Sequence, residues 1–323
     1  MTEQVPNPLR GPVTMRSRLM LEVASELSAM GSWPHKQTRI LMRAQGAEDW
    51  AINLFASDAP GSIDEVAEGK ADIAIVNPGG VLAMAFHGTG PYVKPMPFLR
   101  TIMTIPQFDQ LGFAVSPQSG ITSLADIQQR QIPLKVSLRG QRDHSVHTVV
   151  NQVLSVYDYS LDDITKWGGR VRYDPEFPNG PNRIGAAERG EIDALWDEAM
   201  PMFANRALEL GWRFLGIEEP RLKELEGMGL KRIAITADEF PGLPETVWSV
   251  DFSGWPVFTR ADVADDVVTA FCTALEARKD RIPWYGEGPM RLDLMCKDTR
   301  DGPLYVPLHP AAERFWHDRG YLP

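Results

Sequence analysis

A short apolar run that ends in a turn constrains the fold of this chain more than any other feature of its sequence. Residues 71–80 read ADIAIVNPGG, and five of the six positions before Asn77 are apolar. A strand with one face in solvent alternates apolar and polar side chains, whereas a strand that is covered on both faces does not. Helices must then pack on both sides of the sheet that holds this strand, so we expect a layered α/β fold.

Strand-like and helix-like segments alternate along most of the chain, which is typical of α/β proteins. The predicted strands are residues 38–45, 71–76, 97–106, 110–117, 132–138, 193–196, 212–217 and 230–236. The predicted helices are residues 15–30, 50–57, 62–69, 122–129, 144–154, 184–190, 202–211, 220–229, 261–282 and 309–321. A Ser followed three residues later by an acidic residue predicts a capping box at Ser62 and again within 122–129.

The charge pattern argues against a nucleic-acid or anionic-membrane partner. The formal net charge is -10, and the 33 Lys and Arg residues form no basic block. Cys272 and Cys296 are too few for a disulfide framework or a four-cysteine metal site. The chain also lacks the glycine patterns of phosphate-binding loops and the motifs of catalytic nucleophiles, so we expect no cofactor and no metal.

The chain contains no run of 18 apolar residues, so we expect no membrane span. Its opening segment, MTEQVPNPLRGPVTMRSRLM, lacks the apolar stretch of a signal peptide. We therefore expect a cytoplasmic protein as the sequence stands, or a periplasmic one whose signal was removed.

Five segments, taken in order, carry a resemblance to a known family. They are EVAEGKADIAIVNPGG (65–80), the long run from QLGFAVSP to VVNQVL (110–154), AAERGEIDAL (186–195), EFPGLPETVWSVDFSGWPVFTRADVADDVV (239–268) and PLHPAAERFW (307–316). In this order they resemble the solute-binding subunits of TRAP transporters of the TAXI family, from about residue 40 onward.

The resemblance implies a two-lobed periplasmic-binding-protein-like α/β fold. Each lobe is expected to hold a mixed, mostly parallel sheet flanked by helices, with the ligand cleft between the lobes. Residues 1–113 and 249–323 would form lobe 1, and residues 114–248 would form lobe 2. The implied function is binding of a small carboxylate-bearing ligand by hinge closure, and the implied partners are TRAP membrane permease subunits.

Residues 137–154, SLRGQRDHSVHTVVNQVL, form the most informative candidate site. In one interpretation the loop with Arg139, Gly140 and Arg142 immediately precedes a helix N-terminus and cradles an anion. Gln141, His144 and His147 of the same stretch are further candidate ligand-binding residues. In a second interpretation the two histidines bind a metal with Asp143 or His309, although no further ligand pattern supports it. In the third, Asp143 caps the helix and the arginines are solvated.

Other candidate ligand-binding residues follow predicted strands. Asn77, Gly79 and Gly80 follow the apolar strand, where α/β sheets bind ligands, but a tight turn also needs glycines. Trp196 and Asp197 follow a strand of the second lobe. There Trp196 would stack on a ligand and Asp197 or Glu198 would accept a hydrogen bond from its amino or hydroxyl group, and a structural use is an equal alternative. The remaining candidates are Gln45, in the turn RAQGAEDW, and Trp248 and Trp255, which would form a cleft wall or, alternatively, belong to the buried core.

The sequence favours a binding protein over an enzyme, and two alternatives stay open. Some aromatic-acid decarboxylases share the binding-protein fold, and here an Arg would hold the carboxylate while His144 or His147 donates a proton. A cytoplasmic ligand sensor would use the same lobe closure to recruit a partner.

Overall fold

The computed structural model describes residues 15–29, 37–43 and 51–323 of the chain. Within these residues the protein is a mixed α/β structure with two five-stranded sheets and one two-stranded sheet, flanked by helices. The predicted fold class, a two-lobed α/β architecture, is confirmed.

Twelve strands are present in the described residues. They are β1 (Thr38–Arg43), β2 (Ala51–Ala56), β3 (Ile73–Ile75), β4 (Leu99–Ile105), β5 (Gly112–Val115), β6 (Lys135–Arg139), β7 (Arg170–Asp174), β8 (Ala194–Asp197), β9 (Arg213–Phe214), β10 (Arg232–Ile235), β11 (Val247–Val250) and β12 (Trp255–Arg260).

Twelve α-helices accompany them in the same described ranges. They are α1 (Met15–Ala29), α2 (Gly61–Ala67), α3 (Gly79–His87), α4 (Leu124–Gln129), α5 (Ser145–Ser155), α6 (Leu161–Lys166), α7 (Ile184–Glu188), α8 (Met200–Glu209), α9 (Glu219–Gly227), α10 (Asp265–Arg278), α11 (Leu292–Met295) and α12 (Pro310–Asp318). None of these helices is both long and apolar enough to cross a membrane.

The two large sheets mix parallel and antiparallel pairs, so the expectation of mostly parallel pairing is wrong. The first sheet has the order β1-β2-β3-β12-β4, and only β2 and β3 are parallel. The second has the order β7-β6-β8-β5-β9, in which β6 is parallel to both neighbours and β5 is antiparallel to both of its own. The chain leaves the first sheet through β4 and returns through β12, so these neighbours run in opposite directions.

Two segments connect the large sheets and run side by side. Residues 106–111 lead from β4 to β5, and residues 251–254 lead from β11 back to β12. Gln110 and Asp251 form an antiparallel bridge, and the Phe252 amide donates to the Asp109 carbonyl at 3.0 Å. The lobe boundaries at 113/114 and 248/249 stay a proposal, and the connecting segments lie within a few residues of them.

One apolar core continues from the first lobe into the second. Helix α3 is buried at every position from Gly79 to Ala85, and it packs against α5 of the second lobe. Buried residues of both helices, such as Leu82 and Val149, belong to the same cluster. The lobes therefore share apolar contact beside the connecting segments.

Two local predictions are wrong. Residues 51–56, predicted as helix, form β2, because pairing with β1 and β3 buries Ile52 and Phe55 in the first sheet. The capping box predicted at Ser62 is absent, since α2 begins at Gly61 and the Ser62 hydroxyl donates to the Ala59 carbonyl. The second predicted box is formed, with Ser123 as N-cap and Asp126 as its reciprocal partner.

Candidate functional site

A cavity of about 380 Å³ lies between the two large sheets. Residues from both lobes and from the connecting segment at residues 107–109 form its walls. Its lining residues are Ala56, Ser57, Asp58, Ile75, Val76, Asn77, Gln107, Asp109, Arg139, His144, Phe177, Glu198, Ala199, Met202, Trp255 and Tyr285.

Strand ends place the polar residues of this cavity. Asn77 follows β3, Arg139 is the last residue of β6, and Glu198 follows β8. β6 and β8 are neighbours in the second sheet and β3 belongs to the first, so the carboxyl ends of strands from both sheets face the cavity, and such strand ends are where α/β folds bind ligands. The sequence therefore forms a site here through three separate strand-to-helix turns.

Arg139 is the central cation of the site and is already paired. Its side chain is 3% exposed, and its Nη2 lies 2.5 Å from Glu198 Oε1 and 3.3 Å from Asp197 Oδ1. Burial alone lowers the pKa of the guanidinium, but the two carboxylates outweigh burial and raise it. Arg139 therefore stays charged and lies against both carboxyl groups.

Asp197 lies behind the cavity wall between two buried arginines. Its Oδ2 is 2.5 Å from Arg183 Nη1, and both side chains are fully buried. Burial raises the pKa of this carboxyl, but Arg183 and Arg139 together hold it below its usual range. Sequence reasoning missed Arg183, which comes from the irregular loop before α7 and carries no motif that indicates its position.

Two further carboxyl groups at the cavity have their pKa raised. Burial raises the pKa of Glu198 well above its usual range; Arg139 opposes this, and Asp197 and Asp109 add to it. Burial and the charge of Asp197 raise the pKa of Asp109 in the same direction. Among the described residues that line the cavity, Arg139 carries the one guanidinium, and acidic side chains surround it.

Asp58 joins the two lobes across the cavity. Gln141 Nε2 donates to Asp58 Oδ1 at 2.7 Å, and the Ser145 hydroxyl donates to the Asp58 carbonyl at 2.8 Å. His144, rather than the predicted Asp143, caps α5: its Nδ1 accepts a hydrogen bond from the Val146 amide at 3.0 Å. His144 Nε2 faces Arg139 Nη1 at 2.9 Å.

Several buried polar atoms of the lining have no hydrogen-bond partner among the described residues. They are Asn77 Oδ1, Gln107 Oε1, Glu198 Oε2 and Trp255 Nε1. A buried polar group without a partner costs about 1–3 kcal/mol, and native structures contain few of them. The four residues that carry these atoms line one cavity, and each of the atoms is itself fully buried.

The structure brings five of the predicted site residues to the cavity lining: Asn77, Arg139, His144, Glu198 and Trp255. Gln141 lies next to it, bonded to Asp58. Asp197 lies behind the wall, and Trp196 is fully buried with its ring edge-on to Phe113 at 5.4 Å. Gln45 lies outside the described residues.

The other predicted site residues do not line the cavity. Gly79 and Gly80 start α3, where Gly79 packs against Tyr305 and Gly80 against Leu230. Arg142 lies over the Tyr173 ring, with its Cζ 3.5 Å from the centroid. The exposed Trp248 lies near Arg232, and its role stays a prediction, as do those of Arg142 and the two glycines.

His147 and His309, two candidate metal ligands of the sequence, make other contacts in the structure. His147 Nε2 donates to the Gln141 carbonyl at 2.9 Å, and burial lowers the pKa of its imidazole. His309 caps α12 through its Nδ1. In the described parts of the chain, no three His, Cys, Asp or Glu side chains are grouped so as to hold a metal ion.

Sequence reasoning missed Asp58, Asp109 and Tyr285 as lining residues. Asp58 follows β2, which was predicted as a helix, so its place at a strand end was hidden. Asp109 lies on a segment that connects the two lobes. A search of such segments for charged residues would have identified it. Tyr285 lies in a loop after α10, and no local pattern places it at the cavity.

Comparison with protein-family models gives one match that covers most of the chain. The model of the NMT1-like family matches residues 40–320. None of the curated proteins matches the chain.

Solved structures give weak likenesses only. A protein of Bordetella bronchiseptica RB50 is 12% identical, with 81% of this chain and 85% of that one covered and a TM-score of 0.43. The alkanesulfonate-binding protein of Xanthomonas axonopodis pv. citri, bound to MOPS, is 12% identical over 78% and 84%, with a TM-score of 0.30. The glycine betaine/L-proline-binding protein of Borrelia burgdorferi is 15% identical over 65% of each chain, with a TM-score of 0.37. Likenesses of this strength do not identify a ligand.

Proposed function

The chain belongs to the NMT1-like family, and we propose that it is a solute-binding protein that encloses a small organic molecule between its two lobes. The observation that carries the proposal is the cavity of about 380 Å³ between the lobes, whose lining includes polar side chains such as those of Asn77, Gln107 and Arg139. This volume lies within the usual range of small-molecule sites, about 300–1,000 Å³. The polar atoms supply the directional contacts that fix a ligand's orientation.

We further propose that the solute bears a carboxylate. Arg139 lines the cavity, and the unpartnered Trp255 Nε1–H is a neutral donor on the same lining. A guanidinium and an indole N–H together suit a carboxylate, which accepts several hydrogen bonds. The helix N-terminus of α5, whose N-cap His144 also lines the cavity, adds a favourable dipole.

A thermal-shift screen tests solute binding. The panel contains amino acids, dicarboxylates, 2-oxo acids and aromatic acids. A compound present at about 100 times its dissociation constant stabilises the fold by about 2.7 kcal/mol, which raises the melting temperature by roughly 5 °C. If no compound of the panel shifts the melting temperature, the proposal of a small organic solute is contradicted.

A membrane permease of the TRAP type is the proposed partner, and the periplasm is the proposed location. The resemblance of the five ordered segments to TAXI subunits supports this partner. A pull-down of TRAP membrane subunits with the solute-loaded protein tests it, and cell fractionation tests the location.

A decarboxylase is the second candidate, because His144 Nε2 lies beside Arg139 at the cavity. In that function Arg139 would hold the carboxylate and His144 would supply the proton. Release of carbon dioxide from a bound aromatic acid supports this candidate. Binding without turnover excludes it for that acid.

A further inference from the structure

We propose that the cavity binds a proton together with an anionic solute, and that the acid pair Asp109 and Glu198 is the proton site. The inference rests on the proposed binding of a carboxylate-bearing solute and specifies how pH regulates the same cavity. Affinity for the solute is then highest where both acids are protonated, and it falls as they ionise.

The buried charges of the site do not balance unless an acid is protonated. The cluster holds two guanidinium groups, Arg139 and Arg183, and three carboxyl groups, Asp109, Asp197 and Glu198, and all five residues are buried. A buried charge without a counter-charge is costly, so a carboxyl group in such a cluster takes up a proton instead. The cluster is neutral with one proton on its acids, and it carries one positive charge with two.

Glu198 is the first place for such a proton. Its Oε1 lies 2.5 Å from Arg139 Nη2, and its side chain hydrogen-bonds that of Asp197. Two ionised carboxylates have no donor between them, so this bond requires a proton on one of the two groups. Asp197 lies between Arg139 and Arg183, which hold it ionised, so the proton belongs to Glu198. The fully buried Glu198 Oε2 accepts no hydrogen bond from the described residues, which suits the oxygen that carries the proton.

Asp109 is the second place. It lines the cavity from the connecting segment, is 6% exposed, and accepts a hydrogen bond from Gln107 Nε2 at 3.0 Å. Burial raises the pKa of Asp109, and the charge of Asp197 adds to the rise. Burial raises the pKa of Glu198 as well; Arg139 opposes this, and Asp197 and Asp109 add to it. Because ionised Asp109 opposes the ionisation of Glu198, the two acids titrate as a coupled pair.

The other titratable groups that face the pair are less suited to hold the proton. His144 Nε2 lies 3.9 Å from Glu198 Oε1 and 2.9 Å from Arg139 Nη1. Its Nδ1 accepts the backbone hydrogen bond that caps α5, so protonation there would break the cap and place a cation beside a guanidinium. Asp58 Oδ2 lies 3.8 Å from the same His144 nitrogen, and its side chain is 14% exposed, more than those of the pair. Tyr285 stays protonated, because burial raises the pKa of its hydroxyl.

A bound carboxylate adds one negative charge beside Arg139. The cluster with two protons carries the positive charge that this carboxylate neutralises, whereas the cluster with one proton is already neutral. Binding to the second form therefore takes up a proton, which restores the balance. Because the pair is protonated at low pH, affinity for the anion should fall by up to about tenfold per pH unit as the pH rises through the raised pKa values.

Calorimetric titration of the wild-type protein in two buffers measures the proton uptake. Tris and triethanolamine differ in ionisation enthalpy, and neither brings a competing buffer anion. The probes are three acids with their amides: benzoate and benzamide, 3-phenylpropanoate and 3-phenylpropanamide, and 4-methylpentanoate and 4-methylpentanamide. Between about pH 6 and about pH 9, where the acids themselves are ionised, we expect uptake that rises toward one proton per bound acid. An amide that binds should take up none, because it brings no charge.

A double variant assigns the proton to the pair. Asp109→Asn combined with Glu198→Gln replaces both acids by neutral groups of similar shape and keeps His144. It should bind the acid without proton uptake and with an affinity that does not change with pH, so at about pH 9 it should bind at least tenfold more tightly than the wild type. Glu245→Gln, at an exposed position, is the control and should behave as the wild type. The buffer comparison on the wild type stands even if the double variant does not fold.

The outcomes separate the proton site from the proposed function. Equal heats for a bound acid in the two buffers, or uptake that persists in the double variant, overturn the inference and leave the solute-binding function standing. If no acid among the probes or in the wider screen binds, the inference fails together with the proposed carboxylate-bearing solute. Uptake in the wild type that is lost in the double variant supports the inference.

Discussion

Asp197 is the residue on which the buried charges of the site depend. It lies between Arg139 and Arg183, and all three side chains are buried. Removing one partner of a buried ion pair leaves an uncompensated charge and typically costs about 3–5 kcal/mol. We expect Asp197→Asn to lower the free energy of unfolding by about that amount, measured by urea denaturation. Asp238→Asn, at an exposed position, is the control and should cost less than about 0.5 kcal/mol.

Glu198 and Asp109 should make stability depend on pH in the opposite direction from Asp197. Burial raises the pKa of both carboxyls in the folded protein, so the folded state binds more protons than the unfolded state above the ordinary carboxyl range. Their stabilising effect is present at low pH and is lost as the pH rises through the raised values. Asp197 contributes above its ordinary pKa and loses its contribution on acidification.

The measurement is the urea unfolding free energy between pH 5 and pH 8. Within the window where one group is protonated only in the folded state, the free energy should fall by about 1.4 kcal/mol per pH unit and group. Glu198→Gln should flatten this slope by the contribution of one group. An unchanged slope in that variant would contradict the raised pKa of Glu198.

At the scale of elements, the first turn of α3 shows why its glycines are needed. A Cβ added to Gly79 would lie 2.4 Å from Tyr305 Cδ2, and one added to Gly80 would lie 2.8 Å from Leu230 Cδ2. The glycines therefore let α3 pack closely against its neighbours. The sequence interpretation of a tight turn that needs glycine for its angles does not explain these residues, because neither has a positive φ. The close contacts depend on chain segments more than 140 residues away.

We expect Gly79→Ala to destabilise the protein by about 1–3 kcal/mol, because the added methyl group overpacks the α3 N-terminus. Gly227→Ala is the matched control: it is also in a helix, and nothing lies within 4 Å of its added Cβ. That control should be neutral or stabilising by up to about 1 kcal/mol, since alanine favours helix. Equal melting temperatures for the two variants would contradict the packing account.

Prediction from the sequence succeeds where a signal is local. The strand end at Arg139, the turn at Asn77 and the capping box at Ser123 all follow from neighbouring residues. β2 was missed because its state depends on pairing with β1 and β3, and Asp58 was missed with it. Arg183 and Tyr285 reach the site from irregular segments, whose position depends on tertiary packing rather than on local pattern.

At the scale of the whole molecule, Asp58 and Gln141 connect the lobes in front of the cavity. We expect Gln141→Ala to favour separation of the lobes, because the side-chain bond across the cavity is lost. Its radius of gyration by small-angle scattering should exceed that of the wild type without solute, and probe affinity should fall severalfold. Gln129→Ala, at an exposed position of α4, is the control. An unchanged radius and affinity in Gln141→Ala would show that the shared apolar core alone holds the lobes together.

The central claim is that the cavity between the lobes binds a small solute. The most direct test is calorimetric titration of the screened compound with the largest thermal shift into the wild type and into Met202→Trp. Met202 lines the cavity and is 44% exposed, so a larger side chain there fills the space without entering the core. We predict one site per chain in the wild type and at least tenfold weaker binding in the variant. Equal affinity in the two proteins would contradict the account.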